Sequence, residues 1–168
     1  MNNSSYLQLP HNLDLERVVL GLLVIFPEII PIIAENLRSG DFYSDRHKRV
    51  YSKLLEMFYG AKTIDLVLLS HEFTHNDFVT PVFLGGLLDG IPKSVVANIE
   101  VYCRELKALS LSRDVLISCQ KALAEPFNYE EPFLNLRSSL RKYFDFKNNK
   151  ASSEGQNGSA EFIKAVNG

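Results

Sequence analysis

The run of side chains with catalytic spacing is His71-Glu72-Phe73-Thr74-His75. Taken literally it is H-E-x-x-H. On a helix that pattern places two imidazoles one turn apart on one face, with the glutamate set to activate a zinc-bound water. A zinc site of this kind needs a third ligand from a later helix, and no histidine follows His75. Asp77 is too near in sequence to serve, and nothing in the spacing points to Glu100. Thr74, Asn76 and Asp77 are also poor helix formers, so the run straddles an expected helix end. A zinc-dependent hydrolase is therefore the second reading, and the expectation is no metal site.

Other reactive groups are equally isolated. No phosphate-binding loop of the form G-x-x-x-x-G-K-[ST] occurs, and Gly85-Gly86 alone does not make one. No serine stands in a nucleophile elbow, and neither Cys103 nor Cys119 has a histidine near it in sequence. His47 falls one turn before Tyr51, beside an apolar helix face, and is read as a hydrogen-bonded core or boundary histidine. The expectation is a chain with no catalytic residue and no cofactor of its own.

Charge narrows the class further. With 168 residues, a formal net charge of -2 and an isoelectric point near 6.1, the chain lacks the basic stripe that many phosphate contacts require. Arg46-His47-Lys48-Arg49 and Arg141-Lys142 read as solvated helix faces. The 46% hydrophobic content is enough for a core without disulfides or metal. Cys103 and Cys119 lie in one predicted helix about 24 Å apart at 1.5 Å per residue. They cannot bridge within the chain, which suits a reducing compartment. No apolar run reaches the roughly 18 residues of a membrane span, and the N-terminus lacks a signal-peptide pattern, so the expected location is cytoplasmic.

Helical periodicity organises everything that remains. Leu15, Val18, Val19, Leu22, Leu23 and Phe26 form one face of an amphipathic helix between Asn12 and Pro27. A second short helix carries Ile32, Ile33 and Leu37, with Pro31 expected to delay or kink it. Ser44 or Asp45 caps a third, which Gly60 ends as its C′ residue. Asp65 caps a fourth that runs through Phe73, and residues 78–88 read as another helix, weakened by Gly85-Gly86.

From Asn98 to Leu123 there is neither glycine nor proline. Ile99, Tyr102, Leu106, Leu109, Arg113, Leu116, Gln120 and Leu123 step by three and four, a heptad-like seam on a helix of about 39 Å. Phe133, Leu136, Leu140 and Tyr143 repeat the spacing after a short loop, so an antiparallel helical hairpin is predicted. The fold class is all-α, a multi-helix head (1–92) followed by a hairpin (93–146). A polar linker (147–159) then leads to the small amphipathic stretch of Phe162, Ile163 and Val166 in a tail spanning 147–168.

One helix of a hairpin buries only one stripe of the other. Leu106, Leu109, Leu116, Ile117, Leu136 and Leu140 are therefore predicted to serve partner binding and self-association. Arg113 is placed at the hairpin's edge, facing an acidic group or another chain, because a buried lone charge is costly.

The order of these pieces resembles the N-terminal domain of bacterial DnaB-type replicative DNA helicases. Leu9-Pro10-His11-Asn12-Leu13-Asp14-Leu15-Glu16 with Val19-Leu20-Gly21-Leu22-Leu23 is similar to the family's opening. Asp41-Phe42-Tyr43 with His47, Ile64-Asp65-Leu66-Val67, and Leu87-Leu88-Asp89-Gly90-Ile91-Pro92 with Asn98, Tyr102 and Arg113 follow in family order, from about Leu9 to Phe144. The resemblance implies a helical head plus hairpin whose hairpins pair. Three pairs would make a collar on a hexameric ring, docking primase and, in some systems, a helicase loader. It also implies a separate motor domain holding ATP and magnesium, contact with DNA only through the full hexamer, and no membrane partner. Phe162, Ile163 and Val166 would then begin the helix that joins collar to motor. A free-standing regulator built on the same domain is the third reading.

Overall fold

A computed structural model describes residues 8–74, 78–91, 97–124 and 130–153. Seven α-helices and no strand occur among them. The head contains α1 (Leu13–Ile25), α2 (Ile30–Asn36), α3 (Asp45–Tyr59), α4 (Leu66–Glu72) and α5 (Pro81–Gly86). The hairpin is α6 (Ile99–Ala124) and α7 (Glu130–Ser153).

Local chemistry sets the helix ends. The Asn12, Ser44, Asp65 and Thr80 side chains each accept a backbone N–H in the first turn of α1, α3, α4 and α5. Each such cap satisfies a donor that has no partner within its helix. Pro27 opens a short 3-10 turn over Pro27–Ile29, and α2 follows at once with Pro31 in its first turn. The proline expected to delay α2 instead starts it, because its missing N–H falls among those that have no intrahelical acceptor. The direction changes by 111° between α1 and the 27–36 segment. Together these two segments have the length and composition of a membrane span, but no single described helix does. Their apolar side chains form the head's core instead.

That core is built from Val19, Leu20, Leu22 and Leu23 of α1, Ile30 and Ile33 of α2, and Val50, Tyr51 and Leu54 of α3, all buried. The Tyr51 hydroxyl donates to the Leu37 carbonyl at 3.0 Å, which resolves the one polar atom on that ring. Burial holds the Tyr51 hydroxyl far above the usual phenol range. Gly21 is required by a close approach: a Cβ there would lie 2.3 Å from the Leu87 carbonyl oxygen and from Ile91 Cδ1. Arg17 reinforces the same junction by donating to the Asp89 carbonyl at 2.6 Å.

Two sequence expectations are corrected here. Gly60 is not the left-handed residue that ends α3. Its φ is -81°, and Ala61 takes the left-handed conformation at φ 52°. The Ala61 N–H bonds the Phe58 carbonyl and the Lys62 N–H bonds the Met57 carbonyl, which makes Ala61 the C′ residue of a Schellman ending. The second correction is at the chain's far end. Helix α7 continues to Ser153, so residues 147–153, predicted as linker, are helical. Residues 154–168, including Phe162, Ile163 and Val166, lie outside the described residues.

Candidate protein-interaction site

Three faces of α6 divide the work of the hairpin. At about 100° per residue, Ile99, Cys103, Leu106, Ser110 and Arg113 share one face, and all five are buried. Ile99, Cys103 and Leu106 join the head's core cluster. About 130° around the helix, Leu111, Val115, Ser118 and Ala122 form a second face. The Ser118 and Ser139 hydroxyls meet there at 3.1 Å, which identifies it as the face that receives α7. The inward face of α7 carries Leu136, Ser139, Leu140, Tyr143 and Phe146, each half-buried. Leu109, Leu116 and Leu123 lie on the third face of α6, away from α7. Leu109 and Leu116 are half-buried and Leu123 is 81% exposed.

The predicted seam therefore splits. Leu106 and Arg113 are occupied by the chain's own head. Ile117 is in phase with them and borders the cleft formed with Tyr43, Ser44 and Lys48. Leu136 and Leu140 face α6. Of the predicted interaction residues only Leu109 and Leu116 remain on an outer face. Helix α7 adds Phe133, which the spacing had picked out, and Leu134 and Phe144, which it had not, at 50%, 61% and 57% exposure.

Arg113 is corrected most sharply. It is buried against the head rather than placed at an open edge of the hairpin. Its guanidinium donates to the Pro10 carbonyl at 3.0 Å and the Asp41 carbonyl at 2.5 Å, and stands over the Tyr43 ring. The charge is tolerated because carbonyl dipoles and an aromatic face replace water around it. Beside it the Lys107 ammonium bonds both carboxylate oxygens of Asp41, at 3.0 and 2.9 Å. Asp41 in turn accepts the Arg38 backbone N–H at 2.8 Å. His11 stacks on Tyr43 with ring centroids 4.3 Å apart. The base of the hairpin is thus bolted to the head through the loop around Asp41 and the segment before α1.

Sequence reading passed over Glu16. An acidic residue in a first turn reads as a complement to the helix dipole, yet this side chain is fully buried. Its carboxylate accepts the Tyr43 N–H at 2.5 Å, the Ser44 N–H at 3.2 Å and the His47 Nδ1 hydrogen at 2.7 Å. No buried side-chain nitrogen or oxygen among the described residues lacks a partner.

The H-E-x-x-H run has a different setting from a zinc helix. Helix α4 ends at Glu72, and Phe73 and Thr74 form a turn; His75 lies outside the described residues. The Glu72 carboxylate is held by Lys62 at 2.8 Å and Lys53 at 3.5 Å. The Lys62 hydrogen bond keeps its carboxyl below the ordinary glutamate value, and these ammonium groups occupy the oxygens a catalytic water would need.

The architecture and the sequence point to one family. The family model described as "DnaB-like helicase N terminal domain" matches residues 8–108. The chain belongs to the DnaB-like helicase N-terminal domain family. The replicative DNA helicase DnaB of Treponema pallidum is 29% identical over 144 residues, which is 83% of this chain and 32% of that protein. The replicative DNA helicase DnaC of Bacillus subtilis is 25% identical over 137 residues, 79% of this chain and 30% of that protein. The chain thus spans about a third of these relatives' length. The crystal structure of the DnaB N-terminal domain from Mycobacterium tuberculosis superposes with a TM-score of 0.69 at 22% identity, over 80% of this chain and 99% of that one. The shared fold of the DnaB-like N-terminal domain is therefore the all-helical head with its hairpin.

Proposed function

We propose that this DnaB-like domain is the collar module of a hexameric replicative DNA helicase, joining copies through its hairpin and offering the paired hairpins to primase. The observation that carries the reading is the unused apolar surface of the hairpin. Leu123 on α6 and Leu134 and Phe144 on α7 are exposed, and Leu109 and Leu116 lie half-buried on the α6 face turned from α7. Covering one such side chain contributes roughly 1.5–3 kcal/mol, and a second copy supplies a matching surface by symmetry. The relatives' designation as replicative helicases supports a role beside a motor that would hold ATP and magnesium and contact DNA in the assembled hexamer. A helicase loader is a further partner on the same reading.

The test is sedimentation of the chain at tens of micromolar, with Leu123→Asp and Phe144→Asp as variants. The expected result is self-association in the wild type that either substitution weakens, with primase binding lost in parallel. A monomeric wild type, or variants that keep both mass and primase binding, would overturn it.

A further inference from the structure

The head carries an exposed cationic corner that the hairpin does not use. Arg46 and Arg49 lie one turn apart on α3, and both are exposed. The Arg46 guanidinium stands 5.1 Å from the Phe78 ring centroid and 5.4 Å from that of Phe83, and Arg49 stands 5.1 Å from Phe78. Neither arginine forms an ion pair among the described residues: the Asp45 carboxylate feels the Arg49 charge but is bonded to Lys48, and Lys53 is paired with Glu56. Stacking on a ring restrains a guanidinium while leaving its in-plane N–H groups directed outward, an arrangement suited to carboxylates. Val82, 87% exposed, stands on α5 between Pro81 and Phe83.

The far end of the hairpin has the complementary character. Glu130 and Glu131 open α7, and both are exposed. Phe133 and Leu134 follow them, half or more exposed. This is two carboxylates beside two apolar side chains, against two guanidiniums beside two phenylalanine rings. The chain's own tip is carried away from the head. Ala124 lies about 16 Å beyond Arg113 along α6, at 1.5 Å per residue, and α7 packs chiefly on α6, its far end at Phe146 bordering a cleft with α2. A second copy has the same tip free to present.

We propose that the Arg46–Arg49 corner of one copy receives the Glu130–Glu131 tip of another copy's hairpin. This contact is distinct from pairing of the hairpin sides and rests on the reading that the chain self-associates. It gives the assembly direction, because a head accepts only the acidic end of a neighbouring hairpin. It also makes assembly sensitive to salt, since exposed charge pairs are screened.

The experiment is a charge swap in the whole chain, read by sedimentation equilibrium, with circular dichroism to verify folding. Arg46→Glu with Arg49→Glu, and separately Glu130→Arg with Glu131→Arg, should each weaken self-association by about tenfold or more. All four substitutions in one chain should restore it, and the salt dependence should reappear. Folded single-site swaps that associate like the wild type, or a combined variant that fails to recover, would overturn the proposal. If Phe144→Asp dissociates the assembly while neither charge swap does, hairpin pairing stands and this contact falls. An arginine variant that loses only binding to a single-stranded oligothymidine, with unchanged mass, would assign the corner to nucleic acid and equally overturn it.

Discussion

The Glu16 carboxylate and the His47 imidazole meet 2.7 Å apart, with both side chains buried. A carboxylate only accepts hydrogen bonds, so Nδ1 of His47 carries the hydrogen, and the same carboxylate holds the Tyr43 and Ser44 N–H groups. One side chain of α1 thereby fixes the start of α3 and the loop that meets the hairpin. Glu16→Ala would strand two backbone donors and an imidazole out of water, each costing about 1–3 kcal/mol. The expected loss is about 3–5 kcal/mol in urea denaturation. Glu16→Gln, which keeps an acceptor oxygen, should lose clearly less. An alanine variant as stable as the wild type would show that the carboxylate does not organise this loop.

Arg113 couples the hairpin to the head through two carbonyls that a point charge on a flexible stem cannot hold together. Arg113→Lys should therefore destabilise the fold by about 1–3 kcal/mol although charge is preserved. Limited proteolysis should cut residues 8–12 faster in the lysine variant, because the Pro10 carbonyl loses its donor. Equal cleavage rates would remove Arg113 as the anchor of that segment.

Cys103 and Cys119 share α6 but not an environment. Burial, with the Glu100 charge adding, pushes the Cys103 thiol up to about 12 from an ordinary 9.0, whereas Cys119 is half-buried. The thiolate is the reactive species, so iodoacetamide at mildly alkaline pH should label Cys119 well before Cys103 in the folded chain. Linkage gives a second readout. The folded state keeps its proton when the unfolded state has lost it, so this contribution to stability is full below about pH 9. It then declines as pH rises toward about 12. Cys103→Ala should flatten that alkaline decline, and a decline of unchanged steepness would contradict it.

Periodicity made the helices legible, because a 3.6-residue repeat and a capping side chain are local properties. Asn12, Ser44 and Asp65 were readable as caps, and the span of α6 was predicted to within a residue. The faces of α6 were not readable. A seam stepping by three and four is consistent with several neighbours, and nothing local says that Leu106 and Arg113 meet a head while Leu111 and Ala122 meet α7. The same limit hid Glu16, whose partners are Tyr43, Ser44 and His47 on other elements. Arg113 stands out in the sequence as a charge within an apolar stripe, but the carbonyls that satisfy it lie in loops whose positions depend on tertiary packing. In this domain the legible part is where the helices are; which side chains are left over for a partner depends on how they pack.

Gly21 offers a steric test of the α1 junction. A Cβ would lie far inside contact distance of the Leu87 carbonyl, which is backbone and cannot swing away as a side chain would. Gly21→Ala should cost about 1–3 kcal/mol or more through a forced shift of the 87–91 turn, despite alanine's better helix propensity. The shift would also lengthen the Arg17 bond to the Asp89 carbonyl. Arg17→Ala in the Gly21→Ala background should therefore cost less than in the wild type, which a double-mutant cycle measures. Additive effects would mean that the junction yields elsewhere.

Ala61 carries the opposite expectation. It is the described non-glycine residue with positive φ, at 52°, and it sits where α3 ends through the paired bonds to Phe58 and Met57. An L-residue in this region suffers a Cβ–carbonyl conflict of about 1–2 kcal/mol. Glycine escapes that conflict but loses about 0.4–1 kcal/mol to its freer unfolded chain. Ala61→Gly should therefore stabilise the chain by a net few tenths to about 1 kcal/mol, read as a higher urea midpoint with an unchanged slope. Gly60→Ala, one residue earlier, should not, because its φ is ordinary and an added Cβ would press on the Glu56 carbonyl at 2.9 Å. The pair of variants separates two explanations for the helix end. If glycine at 61 gains nothing and alanine at 60 is harmless, the ending is set by the chain that follows α3 rather than by the conformation of Ala61.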